Sequence, residues 1–428
     1  MILGDNVKNV KTALSKPLAV IFYALFAYFF NYHFMVSTML FRTHLNIYNP
    51  TFVKIYDFLF YVLVGLAVAS VLVFYEGIRD RIYPIVVIAV VLLFNRGREI
   101  TTLKAISAFF LLVIAAKNKN IKIWGRIAFY CGWAWMIGSF IATRVGFIPD
   151  LTYDNGARHA FGIIYPTDLG CHILTLSMVL CFIRNGKLKI YDYIYLALMM
   201  AINILFIKAK VSFGCMFLLF CGSLYAQYIH PRRRLNQGVV QAYNAVCVLA
   251  FAFFAILTFA LTLSYSPNSG SIFNKIGFLG SIKSRFRQGK EAFATYPLSL
   301  WGTYIPEQGA GAKIEAEITN YFFLDISYVR IILLNGIGIF SLMMIHYTKI
   351  QYHLAKNRKY YFMLILVIFG LDCAIEHHII EIAYGLPGFI MFMIPNEAET
   401  EIASEKCDVK VKKRKAEFKP VPSNSLSE

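Results

Sequence analysis

The eleven residues from Arg158 to Asp168 contain four side chains that can bind an anion or move a proton. An arginine such as Arg158 binds phosphate oxygens in pairs and stays charged, whereas His159 and Asp168 can take a proton from a hydroxyl group. Tyr165 adds a phenol that can hold a substrate. The stretch lies at the start of an apolar segment, where polar groups are costly and usually functional, so we place the centre of the chemistry here.

Pro166 predicts the start of a helix, because proline is favoured at the first helical position. Tyr165, Asp168 and His172 then recur at spacings of three and four residues, which puts them on one face. A second pair, Asp325 and Tyr328, opens a later apolar segment, with Arg330 on a different face.

A third polar group, Glu376, His377, His378 and Glu381, lies between two apolar segments. A metal site built from the two histidines and Glu381 is one interpretation. Adjacent residues of a helix point to different faces, so we expect no metal here. Glu376 and the two histidines are instead candidate proton acceptors.

Basic residues concentrate in segments that we expect to lie outside the cell. They are Arg96 and Arg98, Arg158, Lys208 and Lys210, and the run from Lys275 to Lys290. Random leakage of charge would spread these residues out, so their concentration indicates an anionic ligand. The alternative is that they extend to lipid phosphates.

The composition defines the class of protein. Of the 428 residues, 58% are hydrophobic and 15% are charged, whereas a soluble domain carries about 25% charged residues. We therefore predict an all-α polytopic membrane protein. The net charge of +18 lies in short loops between apolar segments, as positive-inside topology requires. No nucleic-acid-binding motif is present, which argues against a nucleic-acid partner.

A membrane-spanning helix needs roughly 20 apolar residues. Segments that fit lie near residues 17–40, 55–75, 83–94, 103–116, 124–146, 162–183, 191–207, 211–229, 241–264, 326–347, 360–375 and 379–394. The segments near 83, 103 and 379 are short, so we expect ten to twelve helices. The first run is too long for a signal peptide and is expected to be retained.

The Lys and Arg bias between alternate loops predicts that both termini are cytoplasmic. The membrane domain then spans residues 1–395, with one long extracytoplasmic loop at 264–325 and a disordered cytoplasmic tail at 396–428. Aromatic residues predict that the loop folds against the membrane domain, and residues 280–294 have helical spacing. The eight cysteines include no CxxC pair and predict neither a disulfide framework nor a zinc site.

Several enzyme classes lack their motifs. The chain has no DxD, no P-loop or GxGxxG, and no GxSxG, which weakens interpretations that need a nucleotide, a bound metal or a serine nucleophile.

Three ordered motifs resemble one family. They are Arg158-His-x-x-Gly-x-x-Tyr-Pro-Thr-Asp168, then Ser284-Arg285-x-x-x-Gly289 with Tyr296-Pro297 and Trp301-Gly302, then Phe323-Leu-Asp325-x-x-Tyr328 with Gly336. In combination and spacing they resemble the Wzy-type polysaccharide polymerases of Gram-positive bacteria, over most of residues 20–394. Two departures are Trp301-Gly302, where the family has Phe-Gly, and the histidine-rich run at 376–378.

The resemblance implies a GT-C-type glycosyltransferase in the cytoplasmic membrane. It would join undecaprenyl-pyrophosphate-linked oligosaccharide repeat units into capsular polysaccharide or exopolysaccharide by inverting transfer at the outer leaflet. A pyrophosphate departs without a general acid, and arginine forks can stabilise its charge without a metal or other cofactor. We therefore expect the transfer to survive a chelator. Besides the lipid-linked donor and the bilayer, a flippase and a chain-length regulator of the same pathway are candidate partners.

The residues of this site fall into two groups. Candidates for the general base are His159, Asp168, Asp325, Glu376, His377 and His378. Candidates for substrate binding are Arg158, Tyr165, Lys208, Lys210, Arg285, Arg287, Tyr328 and Arg330.

Three alternatives stay open. A ligase of the same superfamily would move the glycan to another acceptor molecule. A flippase or transporter of lipid-linked saccharide would place charges along a central pathway and use paired broken helices. A non-catalytic assembly component would not require the three motifs in order.

Overall fold

The structure is a computed structural model that describes residues 2–45, 50–94, 101–154, 156–229, 236–267, 277–309 and 322–393. The basic residues Arg96 and Arg98 and the tail at 396–428 lie outside the described residues. Within the described part the chain is mostly helical, with one short hairpin and several irregular segments.

The helices are α1 (Ile2–Val36), α2 (Met39–Thr43), α3 (Pro50–Phe74), α4 (Gly77–Phe94), α5 (Thr101–Ala115), α6 (Ile121–Arg144), α7 (Pro166–Ile183), α8 (Ile190–Ile202), α9 (Lys210–Leu224), α10 (Gln237–Leu263), α11 (Gly277–Thr295), α12 (Ser327–Arg330), α13 (Gly336–Lys356) and α14 (Tyr360–Cys373). The strands are β1 (Thr152–Tyr153) and β2 (Arg158–His159), paired antiparallel.

Seven helical segments of the described chain are long and apolar enough to cross a membrane. They are Ala13–Val36, Pro50–Phe74, Pro166–Ile183, Ile190–Ile207, Lys210–Tyr228, Gln237–Leu263 and Ser327–Lys356, with shorter apolar helices at Lys104–Ala115 and Tyr360–Cys373. The predicted all-α polytopic membrane fold is therefore confirmed. Each predicted segment as far as residue 375 coincides with a helix.

Helix α7 lies at the centre of the fold. In the most apolar 18-residue stretch of α7, 89% of the helix is buried inside the protein, compared with 39% in the corresponding stretches of α3 and of α10. Pro166 occupies its first turn, as predicted, and Tyr165 precedes it in extended conformation. Because α7 packs against α6 on one side and α9 on another, its first turn is held well inside the helical assembly.

The predicted helix at 379–394 is wrong. From Ala374 to Gly385 the chain forms turns, and only Leu386–Phe392 forms a short 3-10 helix. Pro387 lacks an amide hydrogen and so disfavours a helix that continues through it. Phe389 contacts the rings of Phe26 and Trp124, so this segment runs through the protein interior. Irregular backbone is tolerated at membrane depth when protein surrounds it.

Two of the long helices are interrupted. Helix α8 ends in a π-turn, Asn203–Ile207, and Lys208 then takes a left-handed conformation with φ of 54°. Helix α12 passes into a π-turn, Ile331–Asn335, and α13 begins at Gly336 with φ of 85°. Such single-turn π segments often mark functional sites.

The predicted loop helix is confirmed as α11, and it packs on α10 as expected for a loop that folds against the membrane domain. The ring of Phe293 contacts that of Phe259. Gly289 lies so close to Thr262 that an added Cβ would approach it to 2.8 Å. This packing holds α11 against the C-terminal part of α10.

Candidate functional site

Arg285 joins three segments that are far apart in the sequence. Its Nε lies 3.4 Å from Asp325 Oδ2 and its Nη1 lies 2.8 Å from Glu376 Oε1. The same Nη1 donates to the carbonyl of Ile375 at 2.5 Å. Helix α11 buries Phe286 beside it, which brings the guanidinium, with a side chain 15% exposed, into the protein. A buried arginine with two carboxylates is a charge network held by packing.

Ser327 holds together the two stretches of backbone that carry Asp325 and Glu376. The carbonyl of Glu376 accepts from the amide of Ser327 at 3.2 Å and from its hydroxyl at 2.5 Å. The amide of Ile379 donates to that hydroxyl at 3.3 Å. Ser327 therefore ties the start of α12, just after Asp325, to the irregular segment.

His377 and His378 lie side by side, with ring centroids 3.9 Å apart. Glu381 faces both, its Oε1 lying 3.7 Å from His377 Nε2 and its Oε2 lying 3.3 Å from His378 Nδ1. The expectation that adjacent histidines diverge was wrong, because residues 374–385 are not helical.

The other nitrogens of the two imidazoles face two more carboxylates. His378 Nε2 lies 3.8 Å from Asp168 Oδ1 in the first turn of α7, and His377 Nδ1 lies 4.0 Å from Asp325 Oδ1. Asp168 was predicted from the first motif and Asp325 from the third, so the fold brings the motifs together around these rings.

A column of stacked rings extends from His378 and supports this arrangement. Tyr384 stacks on His378 at 3.8 Å and on His172 at 4.0 Å, and His172 stacks on Phe34 at 3.9 Å. The hydroxyl of Ser37 lies 2.8 Å from His172 Nε2. His172 is fully buried, so we assign it to support of the cluster.

Burial shifts the pKa values of Asp325 and Arg285, which both lie outside the membrane-spanning helices. Burial raises the pKa of Asp325 to about 6, although Arg285 acts in the opposite direction. Burial disfavours charge on Arg285 as well, but Glu376 and Asp325 together raise the pKa of Arg285 above its ordinary value. The guanidinium is therefore a permanent cation in this site.

The histidines differ in their pKa values. Burial disfavours a charge on His378, but Glu381 and Asp168 together raise the pKa of His378 to about 9. Burial, with the neighbouring His378, lowers the pKa of His377 well below its ordinary value. One ring is thus a proton carrier and the other a neutral base in the same cluster.

Arg330 flanks the cluster with a partner that the sequence did not indicate. It pairs with Glu307 and lies over the ring of Phe323, with its guanidinium carbon 4.6 Å from the ring centroid. Phe323 in turn meets His377 edge-on at 5.0 Å. The amide of Leu324 donates to Glu307 at 3.0 Å, so Glu307 ties Arg330 to the backbone beside Phe323 and the histidines.

Arg158 and His159 lie on the β1–β2 hairpin, with contacts of their own. Arg158 Nε donates to the carbonyl of Ile207 at 3.2 Å and its Nη1 lies 3.7 Å from Asp154. His159 Nδ1 lies 3.0 Å from Asp150. In the described part of the chain, the hydrogen bonds and ion pairs of these two residues do not include Arg285.

The remaining predicted residues are dispersed. Lys208 and Lys210 are exposed where α8 meets α9, beside the carbonyl of Ile207 that Arg158 contacts. Arg287 is 55% exposed and pairs with Glu291 at 3.7 Å. Tyr328 is fully buried and its hydroxyl donates to Gly370 at 3.2 Å, so it supports α14 from the core. Tyr165 contacts the ring of Tyr153 beside the hairpin.

Sequence reasoning did not place Glu307 or Tyr384 in the site. Glu307 lies in a loop among prolines and glycines, where a single carboxylate carries no pattern. Tyr384 follows Glu381 by three residues, so extending the polar group at 376–381 by three residues would have included it.

Two groups of described side chains have ligand atoms close enough to hold a metal ion, within 4.8 Å of one another. One is His377, His378 and Glu381, and the other is Cys171, Glu376 and His378.

Comparisons with known proteins do not assign this chain to a family. A scan against protein-family models found no match, and neither did searches of curated proteins and of solved structures. The function must therefore be argued from the site.

Proposed function

We propose that the protein is a membrane glycosyltransferase that joins polyprenyl-pyrophosphate-linked oligosaccharide repeats into a polysaccharide. The observation that carries the proposal is the meeting of Asp168, Arg285 and Asp325, one from each of the three motifs, around His377 and His378. This meeting supplies a permanent cation and several proton acceptors in one place, which is the set of groups that such a transfer needs.

In this scheme Arg285 stabilises the charge that grows on the pyrophosphate as the glycosidic bond breaks. Guanidinium groups suit this role because they bind phosphate oxygens bidentately. Arg285 is already paired with Asp325 and Glu376, so the donor would have to share the cation with them. Arg330, close to the same histidines through Phe323, offers a second cation.

The acceptor hydroxyl needs a base, and a positioned base contributes roughly 10²–10⁴-fold to such a step. Asp325, Glu376, His377 and Asp168 all lie around the same two rings or the same arginine. We therefore assign the base to this group and not to His159, which pairs with Asp150 on the hairpin.

Arg158, Lys208 and Lys210 form a separate basic group beside the first turns of α7. The α8–α9 junction, which carries the two lysines, packs on α7, since an added Cβ on Gly170 would lie 2.7 Å from Ala209. In the proposal this group holds phosphate or the glycan of a second substrate. The transfer takes place at the outer face of the cytoplasmic membrane, both termini are cytoplasmic, and no step requires a metal.

Variants of the two arginine groups test the proposal. Arg285→Lys and Arg158→Ala should abolish high-molecular-weight polysaccharide in cells and leave single lipid-linked repeats to accumulate. The ammonium of the lysine variant lacks the planar fork, and the alanine variant lacks the cation altogether. Arg234→Ala, in a loop expected to be cytoplasmic, is the control and should make normal polymer. Normal polymer from both site variants, at matched levels of folded protein, would contradict the proposal.

One observation favours a second candidate, a transporter of lipid-linked saccharide. Helices α8 and α12 break into π-turns, and residues 374–385 are irregular and largely buried beside titratable groups, as in transporters with binding sites at broken helices. Protein in proteoliposomes that moves a fluorescent lipid-linked saccharide across the bilayer, with no elongation, would select this candidate.

A further inference from the structure

His377, His378 and Glu381 form a compact set with the chemistry of a transition-metal site. We propose that these three side chains bind a divalent cation of the zinc class. Two imidazoles and one glutamate are a donor set that zinc uses in proteins, with a further position left for water. The inference does not depend on the proposed transfer, in which arginine carries the leaving-group charge. With the ion bound, His377 is a ligand, and the base of that transfer is one of the carboxylates.

The distances between donor atoms fit such a cation. Zinc lies at about 2.0–2.2 Å from nitrogen and carboxylate oxygen, so donors at the corners of a tetrahedron are roughly 3.3–3.6 Å apart by the same bond lengths. Glu381 Oε2 lies 3.3 Å from His378 Nδ1 and its other oxygen, Oε1, lies 3.7 Å from His377 Nε2, and one ligand atom from each of the three residues lies within 4.8 Å of the others. Small side-chain adjustments would bring all three donors onto one ion.

The surroundings of the histidines give a second, independent observation. Histidines that bind a metal usually direct their other nitrogen at a carboxylate, which fixes the ring and strengthens the ligand. Here His378 Nε2 faces Asp168 at 3.8 Å and His377 Nδ1 faces Asp325 at 4.0 Å. Both of these ring nitrogens are buried and have no hydrogen-bond partner among the described residues. Each would gain a fixed tautomer from a metal on the opposite nitrogen.

One side of the set is open. The side chain of Glu381 is 38% exposed, whereas that of His378 is 2% exposed. A cation can therefore enter past the carboxylate and keep a water molecule there. Binding would cross-link residues 377, 378 and 381 in a segment of turns that forms no regular helix, which assigns the ion a role in holding the irregular segment in place.

Metal analysis of the purified full-length protein tests the inference. Protein in detergent would be stripped with a chelator, returned to Zn²⁺ or Co²⁺, freed of excess ion, and measured for bound metal. We expect about one ion per chain, visible absorption from tetrahedral Co²⁺, and an unfolding temperature that rises with Zn²⁺ concentration.

Glu381→Gln keeps the shape of the side chain and should lose the ion, the cobalt spectrum and the zinc-dependent stabilisation. Asp168→Asn removes only an outer partner and should weaken binding about 10–100-fold. The matched control is His159→Ala, which breaks another histidine–carboxylate pair, His159 with Asp150 at 3.0 Å, and should bind like the unmodified protein.

No bound metal after reconstitution, or equal binding by Glu381→Gln and the unmodified protein, would overturn the inference. In the first case the cluster is an ion network of protonated His378 and carboxylates. In the second case the metal sits elsewhere. Neither result bears on polymer formation, so the metal site and the proposed transfer can fail separately.

Discussion

Replacing Arg285 with methionine should destabilise the protein strongly, independently of any effect on activity. Methionine fills much of the volume but removes the cation between Asp325 and Glu376. The side chains of Arg285, Asp325 and Glu376 are 15%, 17% and 3% exposed, so water can replace little of the lost interaction. The carbonyl of Ile375 would also lose its donor.

The expected loss follows from the burial of these charges. Removing one partner of a buried ion pair costs about 3–5 kcal/mol, because the remaining charge is left uncompensated in a poorly solvated place. That loss lowers the ratio of folded to unfolded protein by roughly 10²- to 5 × 10³-fold, since about 1.4 kcal/mol corresponds to a factor of ten. Neutralising the partners as well, in Arg285→Met with Asp325→Asn and Glu376→Gln, should restore most of the stability, since no buried charge is then unpaired.

Equilibrium unfolding in mixed detergent micelles measures the effect. The control is Arg287→Met, two residues further along α11, where the arginine is 55% exposed and pairs with Glu291. An exposed pair contributes about 0–1 kcal/mol, so this variant should unfold nearly like the unmodified protein. Equal stability of the Arg285 and Arg287 variants, or no recovery in the triple variant, would refute the assignment of Arg285 to a buried network.

Two further predictions concern the frame of the site. Gly302 has φ of 86°, and an added Cβ would lie 2.1 Å from the carbonyl oxygen of Leu334. The control is Gly77, which has a similar φ of 75° but open space around it. Gly302→Ala should therefore lower the free energy of unfolding by about 1–3 kcal/mol more than Gly77→Ala, because of overpacking. If the two alanine variants unfold alike, the close approach of the loop to the broken helix is wrong. For topology, an impermeant thiol reagent on intact cells should label Ser271→Cys and not Ser425→Cys, and the opposite pattern would reverse the assigned orientation.

Much of the helical architecture was predictable from local sequence. The length of an apolar segment reports directly whether a helix can cross a bilayer, and each predicted segment as far as residue 375 forms a helix. Pro166 marked the start of α7 because its fixed φ favours the first helical turn. The helix at 280–294 was likewise evident from its spacing and appears as α11.

The segment at 379–394 shows where this reasoning fails. Its composition is as apolar as that of a membrane helix, and apolar content measures burial without specifying what the residues are buried against. Here the surroundings are protein, with Phe389 packed on Phe26 and Trp124. Only the tertiary structure could decide between a helix in lipid and irregular chain inside a bundle.

The sequence by itself determined that this is a polytopic helical membrane protein, and it named most of the side chains of the candidate site. It could not determine which of them meet. Asp168 and Asp325 do reach the two histidines, whereas His159 pairs with Asp150 on a hairpin. Helix formation depends on hydrogen bonds and apolar contacts within a few residues, which local pattern reports. The distance from Arg285 to Glu376 depends on how α11, α12 and α14 pack, and that packing is set by contacts across the whole chain.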